Sequence, residues 1–304
     1  MNEKEIDAMI RLLDDPDTEI FNHIETHLVS LGKEVIPILE NEWEVNFNPL
    51  IQNRIENIIH KIQFENVLIS LKDWAENASE NLLEGAILVA KYQYPDLDAE
   101  KIGIQIEQMT RDIWLELNDN LTALEKVRIL NNFMFKVFDF SGNTTNYHAP
   151  QNSFINIVLE SKKGNPLSLS ILYSLIAQKL EIPILGVNLP EHFIVAYMDE
   201  VGIVPYKPEE KTPSAVLFYI NPFSKGSIIG RKEIDAFLKQ LKIDPMDSYY
   251  EPCDNIAIIK RLLRNLMYSY QKLGDHDKMD ELNQMMHTMQ KFNNASEEPG
   301  DANE

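Results

Sequence analysis

Between Asn152 and Phe193 the chain holds the parts of a nucleophile–base pair. The stretch NSFINIVLESKKGNPLSLSILYSLIAQKLEIPILGVNLPEHF reads as a helix, a Gly-Asn-Pro break, a second long helix opening on Ser168 and Ser170, and a strand beginning at His192. A helix start that carries a nucleophile, followed by a strand-borne histidine, is the layout of a Cys-His hydrolase or acyl transferase. No cysteine stands there, and the single thiol of the chain, Cys253, lies well downstream. A helix N-terminus can lower a thiol pKa far enough to make a thiolate at neutral pH, whereas a serine hydroxyl starts too high for that help to suffice. Serine chemistry would need His192 within hydrogen-bond reach of Ser168 or Ser170, together with donors for the oxyanion. The competing reading is that both serines satisfy backbone groups near the helix start and His192 is a hydrogen-bonded strand residue. A ligand-binding cleft without covalent chemistry is a third.

Other candidates are weaker. His23 and His27 are four apart, but the glutamate sits at position 25 and not directly after the first histidine, so the zinc-protease pattern H-E-x-x-H is absent and no metal is expected. His148, between Tyr147 and Pro150, is a loop residue that can line the same cleft as His192. Phosphate-cradling glycine loops are missing, which leaves nucleotide hydrolysis without support, and no cofactor is expected.

The elements that must position these residues follow from punctuation and periodicity. Asn165 with Pro166 makes a strong helix start, since asparagine caps well and proline at the first helical position loses only a donor that had no partner. Ile171, Leu172, Leu175, Ile176 and Leu180 then form a wide apolar stripe suited to packing across a sheet. Strands are expected at Ile182–Val187, His192–Met198 and Val216–Ile220, with Ser227–Gly230 as a hairpin partner and a helix over Arg231–Leu241. Upstream, Ser79 and Asp98 can cap two helices. A third helix runs Thr122–Val137 with Leu124, Val127, Leu130, Met134 and Val137 on its buried face, and Asn152 or Ser153 can cap the short one that stops near Gly164. The segment Gly202–Pro213, rich in proline, can cover the cleft.

Residues 1–72 read as short amphipathic helices broken at Asp14-Asp15-Pro16-Asp17 and Gly32, and LLDDPDTEIFNHIETHLVSLGKEVIPILE is similar to a HEAT-type repeat. Residues 73–140 form a helical lead-in, 141–250 the core, and 251–292 a helical hairpin turning at Gly274-Asp275. There RLLRNLMYSYQKLGDHDKMDELNQMM is similar to one tetratricopeptide unit, which cannot bury its faces alone. The tail 293–304 is polar and expected to be disordered.

Composition narrows the function classes. Forty-eight acidic against 28 basic residues give a net charge of −20, which repels nucleic acid phosphates and anionic lipid heads, so neither nucleic acid nor membrane is an expected partner. The first residues lack a basic n-region with an uninterrupted apolar run, no stretch resembles a membrane span, and a single cysteine suits a reducing compartment. A cytoplasmic protein is expected.

Three separated motifs, LLEGAILVAKYQYPDLD, FDFSGNTTNYHAPQNSFINIVLESKKGNPLSLSILY and GVNLPEHFIV, occur in the order of the SirB-type family, bacterial proteins with a transglutaminase-like core, which the chain resembles over roughly 79–240. The resemblance implies an α+β, mostly helical fold with a papain-like core: a helix carrying the nucleophile position, packed on a small antiparallel sheet that carries a histidine and an acid or amide. It assigns the nucleophile turn to Gly164–Ser170, the base to His192 and the orienting position to Asn221. Counting back from Ile182-Pro183 without a gap places Pro166 where an active transglutaminase keeps cysteine; Ser168 reaches that place only with a shift of two. Glu191 stands where the family usually has glycine, and Asn221 where aspartate commonly heads Asp-Pro-Phe. The implied site is a degenerate triad at Ser168, His192 and Asn221, in a protein that works as an intracellular interaction or regulatory module with a protein partner. The alternative is a serine-dependent amidase or acyl transferase using the same three residues.

Overall fold

The computed structural model describes residues 3–199 and 216–289; the Gly202–Pro213 segment and the 293–304 tail, on which expectations were placed above, lie outside the described residues. Contacts divide the chain into two compact units, Met1–Ser70 and Leu71–Glu304. The fold is α+β and mostly helical.

The first unit is built from α1 (Glu3–Arg11), α2 (Thr18–Ser30), α3 (Ile36–Val45) and the front of α4 (Pro49–Asn77). Asp17 starts α2 by accepting the Glu19 amide at 2.8 Å. Ile10, Leu13, Leu28, Leu39, Ile55 and Ile58 meet in one core. Arg54 ties α4 to the α1–α2 turn, donating to the Leu13 and Asp15 carbonyls at 2.6 and 2.9 Å while its guanidinium lies over the Phe21 ring. Short helices were expected throughout this region, yet α4 runs 29 residues. Nothing between Leu50 and Asn77 is proline or glycine, so no residue stops it.

In the second unit, α5 (Leu82–Gln93) is capped by Asn81 and not Ser79: the Asn81 side chain accepts from Glu84 N while its carbonyl accepts the Trp74 indole N–H at 2.9 Å. Asp98 caps α6 (Ala99–Trp114), and Thr122 with Glu125 forms a reciprocal cap on α7 (Ala123–Asn132). The chain then makes a π turn over Phe133–Val137, closed by Phe138 N to Phe133 O at 2.8 Å. That extra residue per turn shifts the helical phase. Val127, Leu130 and Met134 are buried, while Val137 beyond the shift is exposed, as is Leu124 in the first turn.

Next, β1 (Ser141–Gly142) pairs in parallel with β2 (Lys163–Gly164) around α8 (Ile155–Ser161). A 3₁₀ turn at Pro150–Ser153 precedes α8, so Asn152 and Ser153 do not cap it. Then α9 (Pro166–Lys179) leads into an antiparallel sheet of order β3 (Ile184–Leu189), β4 (His192–Met198), β5 (Val216–Asn221), β6 (Ser227–Ile229). In place of the expected stripe, every residue of α9 from Pro166 to Ala177 is buried. The helix has the sheet on one side and α5, α6, α8 and α11 (Asn255–Leu273) on the others. Strand β4 is likewise buried on both faces, with Ile194, Ala196 and Met198 joining Ile234 and Leu238 of α10 (Arg231–Leu241) in a second core.

Helices α11 and α12 (His276–Thr288) turn at Gly274, whose φ of 74° favours glycine. They are fastened to α5: Tyr92 donates to Glu281 at 2.7 Å, and Tyr270 and Lys278 both donate to the Gln93 side chain. Asn255 reaches the Ser79 and Glu80 carbonyls.

Alanine in place of a helical glycine ordinarily stabilises by roughly 1 kcal/mol. At Gly85 the added carbon would meet the rigid Trp74 ring at 2.7 Å and Ile259 at 3.0 Å. Gly85→Ala is therefore expected to destabilise, by about 1–3 kcal/mol of overpacking in urea unfolding.

Candidate functional site

The site begins at the buried start of α9. Asn165 accepts the Ser168 amide on its side-chain oxygen at 2.9 Å, donates its side-chain N–H to the Ser153 hydroxyl at 2.9 Å, and has its own backbone N–H received by the Ser168 hydroxyl at 3.0 Å. Ser168 thus stands as the third helical residue of a reciprocal cap, its hydroxyl spent on the turn before it. Ser170 is fully buried and donates to the Phe193 carbonyl at 3.4 Å. Neither serine has a hydrogen bond to His192 among the described residues.

Pro166 and Leu167, by contrast, line a cleft of about 140 Å³ together with His192. Of the two alignments left open by the sequence, the gapless one places a residue in this cleft. A proline there brings no thiol, and it also lacks the backbone N–H that a helix start would offer to an oxyanion.

His192 opens β4, half-buried, with its ring between those of Phe223 and Phe237 at centroid distances of 6.5 and 6.1 Å. The Asn221 side chain at the end of β5 acts on its imidazole. The Asn221 oxygen accepts Ser224 N at 3.2 Å, which fixes the amide. Burial pulls the imidazole pKa below its ordinary value, the Asn221 side chain works in the opposite direction, and the Arg261 charge lowers it further. His192 is a neutral base at pH 7. Just before it, Pro190 and Glu191 link β3 to β4, and Glu191 adopts φ 55°. That left-handed backbone is the physical reason a glycine suits this position.

Residues far apart in sequence complete the walls. The loop after β1 is held by asparagines: Asn143 donates to Asn152 at 2.9 Å, and Asn152 donates to the Asn146 and Tyr147 carbonyls at 2.7 and 3.0 Å. This presents Tyr147 and His148 at the rim, so His148 and His192 do share the cleft. Helix α11 supplies Arg261, Asn265 and Tyr268 on the opposite side, with His148 and Tyr268 rings 5.3 Å apart. Tyr147 feels both charges of the cleft: burial and Glu191 raise its pKa, and Arg261 opposes them. Sequence reasoning missed the α11 wall. Its one signal was Arg261, Asn265 and Tyr268 at spacings of four and three, a shared helical face.

Chemically, the cleft holds the His192 imidazole with Pro166 and Leu167 at the start of α9, and the Ser168 and Ser170 hydroxyls are bonded elsewhere. Replacing Ser168 with alanine is expected to cost about 1 kcal/mol in urea unfolding, the worth of a cap bond. Followed by NMR, His192 should titrate below 6.5; Asn221→Asp should raise that pKa and Arg261→Gln should raise it also. For a base neutralised by folding, the unfolded chain binds more protons below its own pKa. The His192 contribution to stability is therefore complete above about pH 6.5 and is lost as pH falls toward the folded pKa.

Among curated relatives, the chain is 29% identical over 189 residues to a UPF0162 protein of Xylella fastidiosa (strain Temecula1 / ATCC 700964), covering 62% of this chain and 64% of that protein. It is 24% identical over 203 residues to UPF0162 protein YchA of Escherichia coli (strain K12), covering 66% and 70%. It is also 22% identical over 260 residues to F-box only protein 21 of Homo sapiens, covering 76% of this chain and 38% of that one. The chain thus spans a little under two thirds of the Xylella relative. No solved structure matches it significantly. A family model described as the transglutaminase-like superfamily matches residues 100–264, the span that contains α9, His192, Asn221 and, on α11, Arg261 but not Asn265 or Tyr268. That span is more than half of the chain, which belongs to the transglutaminase-like superfamily.

Proposed function

We propose that the chain is a catalytically degenerate transglutaminase-like protein that works in the cytoplasm as an interaction or regulatory module, binding a protein partner through the cleft beside His192. One observation carries the reading: the helix start that shares this cleft with the histidine is proline, with neither a nucleophile nor an amide N–H to offer. The rim of Tyr147, His148 and Tyr268 around Arg261 has the aromatic and arginine character that protein interfaces enrich. The HEAT-like segment at residues 1–72 and the tetratricopeptide-like hairpin at 251–292 support the same role, because stacked helical repeats serve as binding surfaces. The net charge of −20 argues against nucleic acid and anionic lipid as the partner.

The serine-dependent alternative has no specific observation in its favour. It requires the Ser168 hydroxyl to leave its cap, and an asparagine partner stabilises imidazolium poorly.

The test is to place sulfur at the seat. In a Cys253→Ser background, Pro166→Cys should give a thiol alkylated by iodoacetamide with a pKa below about 7.5, and His192→Ala should return it toward the ordinary range near 8.5. The parent protein should take no fluorophosphonate label from mildly acidic to alkaline pH. An ordinary thiol at position 166, or labelling of the parent that depends on Ser168, would remove the basis of the reading.

A further inference from the structure

We propose that the cleft binds a peptide carboxylate, with the Arg261 guanidinium as its counter-ion and Tyr147 and Tyr268 as the flanking ring walls. The inference rests on the non-covalent reading of this cleft and names what it takes.

Arg261 is half-buried, and it makes no hydrogen bond or ion pair with another described residue. That is unexpected in a chain with 48 acidic residues and 28 basic ones, where partners for a guanidinium are abundant. Partial desolvation of a charge is unfavourable unless an opposite charge compensates it. Its planar fork matches a carboxylate through two parallel N–H···O bonds. Arg261 lines the cleft together with His192 and Tyr147, and its charge acts on both.

Size and charge narrow the ligand further. About 140 Å³ is well below the roughly 300–1,000 Å³ of sites for whole small molecules, so the cleft fits one side chain or one chain terminus. Glu191 stands exposed at the mouth, a negative charge held there in a left-handed conformation. A phosphate or an acidic run would meet repulsion from it and from the overall charge in proportion to its several charges; a single carboxylate on an otherwise neutral segment is repelled least while still pairing with Arg261. Asn265, one turn along α11 from Arg261, and the Tyr147 and Tyr268 rims are suited to the amides and apolar surface of such a segment.

The experiment titrates the full chain with four capped probes and follows the His192 imidazole resonances by NMR. Acetyl-Gly-Gly carries a terminal carboxylate and acetyl-Glu-amide a side-chain one; acetyl-Gly-Gly-amide and acetyl-Gln-amide are their neutral counterparts. At least one carboxylate probe should saturate, its neutral counterpart should bind about tenfold or more weakly, and Arg261→Gln should abolish the difference while Arg261→Lys keeps part of it. Which carboxylate binds better separates a chain terminus from an acidic side chain. Equal binding of charged and neutral probes, undiminished binding to Arg261→Gln, or no saturable shift with any probe overturns the proposal. If the neutral probes bind as well and remain intact, only the carboxylate assignment falls; if acetyl-Gln-amide is deamidated, the non-covalent reading falls with it.

Discussion

The start of α9 is a helix terminus with almost no access to water, and its first-turn N–H groups must be satisfied within the protein. Asn165 does this by facing three ways at once: toward the Ser168 amide, the Ser168 hydroxyl and Ser153. Proline at the next position removes one donor that would otherwise need a partner. Because the same turn forms one wall of the cleft, the requirements of folding and of chemistry compete for the same atoms. Here folding has taken them. The Ser168 hydroxyl is committed to the cap, and the first helical residue, which shares the cleft with His192, is a proline.

The packing of α9 makes that outcome hard to relax. A helix buried along one stripe can tilt or shift toward its open face, but α9 is enclosed by the sheet, α5, α6, α8 and α11. Interiors of this density transmit displacement instead of absorbing it. Gly164 shows the tolerance at the turn itself, since a carbon added there would lie 2.6 Å from the Ser168 hydroxyl. The site is therefore rigid on the helix side, and its adjustable parts are the rim residues Tyr147, His148 and Tyr268, all exposed.

His192 at the start of β4 is influenced by Asn221 at the end of β5, while burial favours the neutral ring and Arg261 opposes protonation. A neutral imidazole is both donor and acceptor, which serves recognition as well as it serves proton transfer. With the Arg261 guanidinium, which pairs with no other described residue, on one side and Glu191 at the mouth, the cleft carries opposite charges in a protein that is otherwise acidic.

Much of this was legible in the residues themselves. Local rules sufficed wherever one residue type decides one backbone event: Asn165-Pro166 opening α9, Asp98 and Thr122 capping their helices, Gly274 turning the final hairpin, and alternation from His192 marking β4. The absence of sulfur at the helix start was also visible, since it is a matter of composition. What stayed hidden depends on neighbours remote in sequence. Asn81, whose carbonyl accepts the Trp74 indole N–H, caps α5 in place of Ser79, the π turn moved Val137 out of the core, and α9 is buried all round because four helices and a sheet converge on it. Only the tertiary structure brought Arg261, Asn265 and Tyr268 of α11 to face the loop at Tyr147 and the strand at His192. Caps and turns are short-range hydrogen-bond problems that a few adjacent residues solve, whereas a cleft is made by surfaces meeting across the fold, and no local pattern encodes which surfaces those will be.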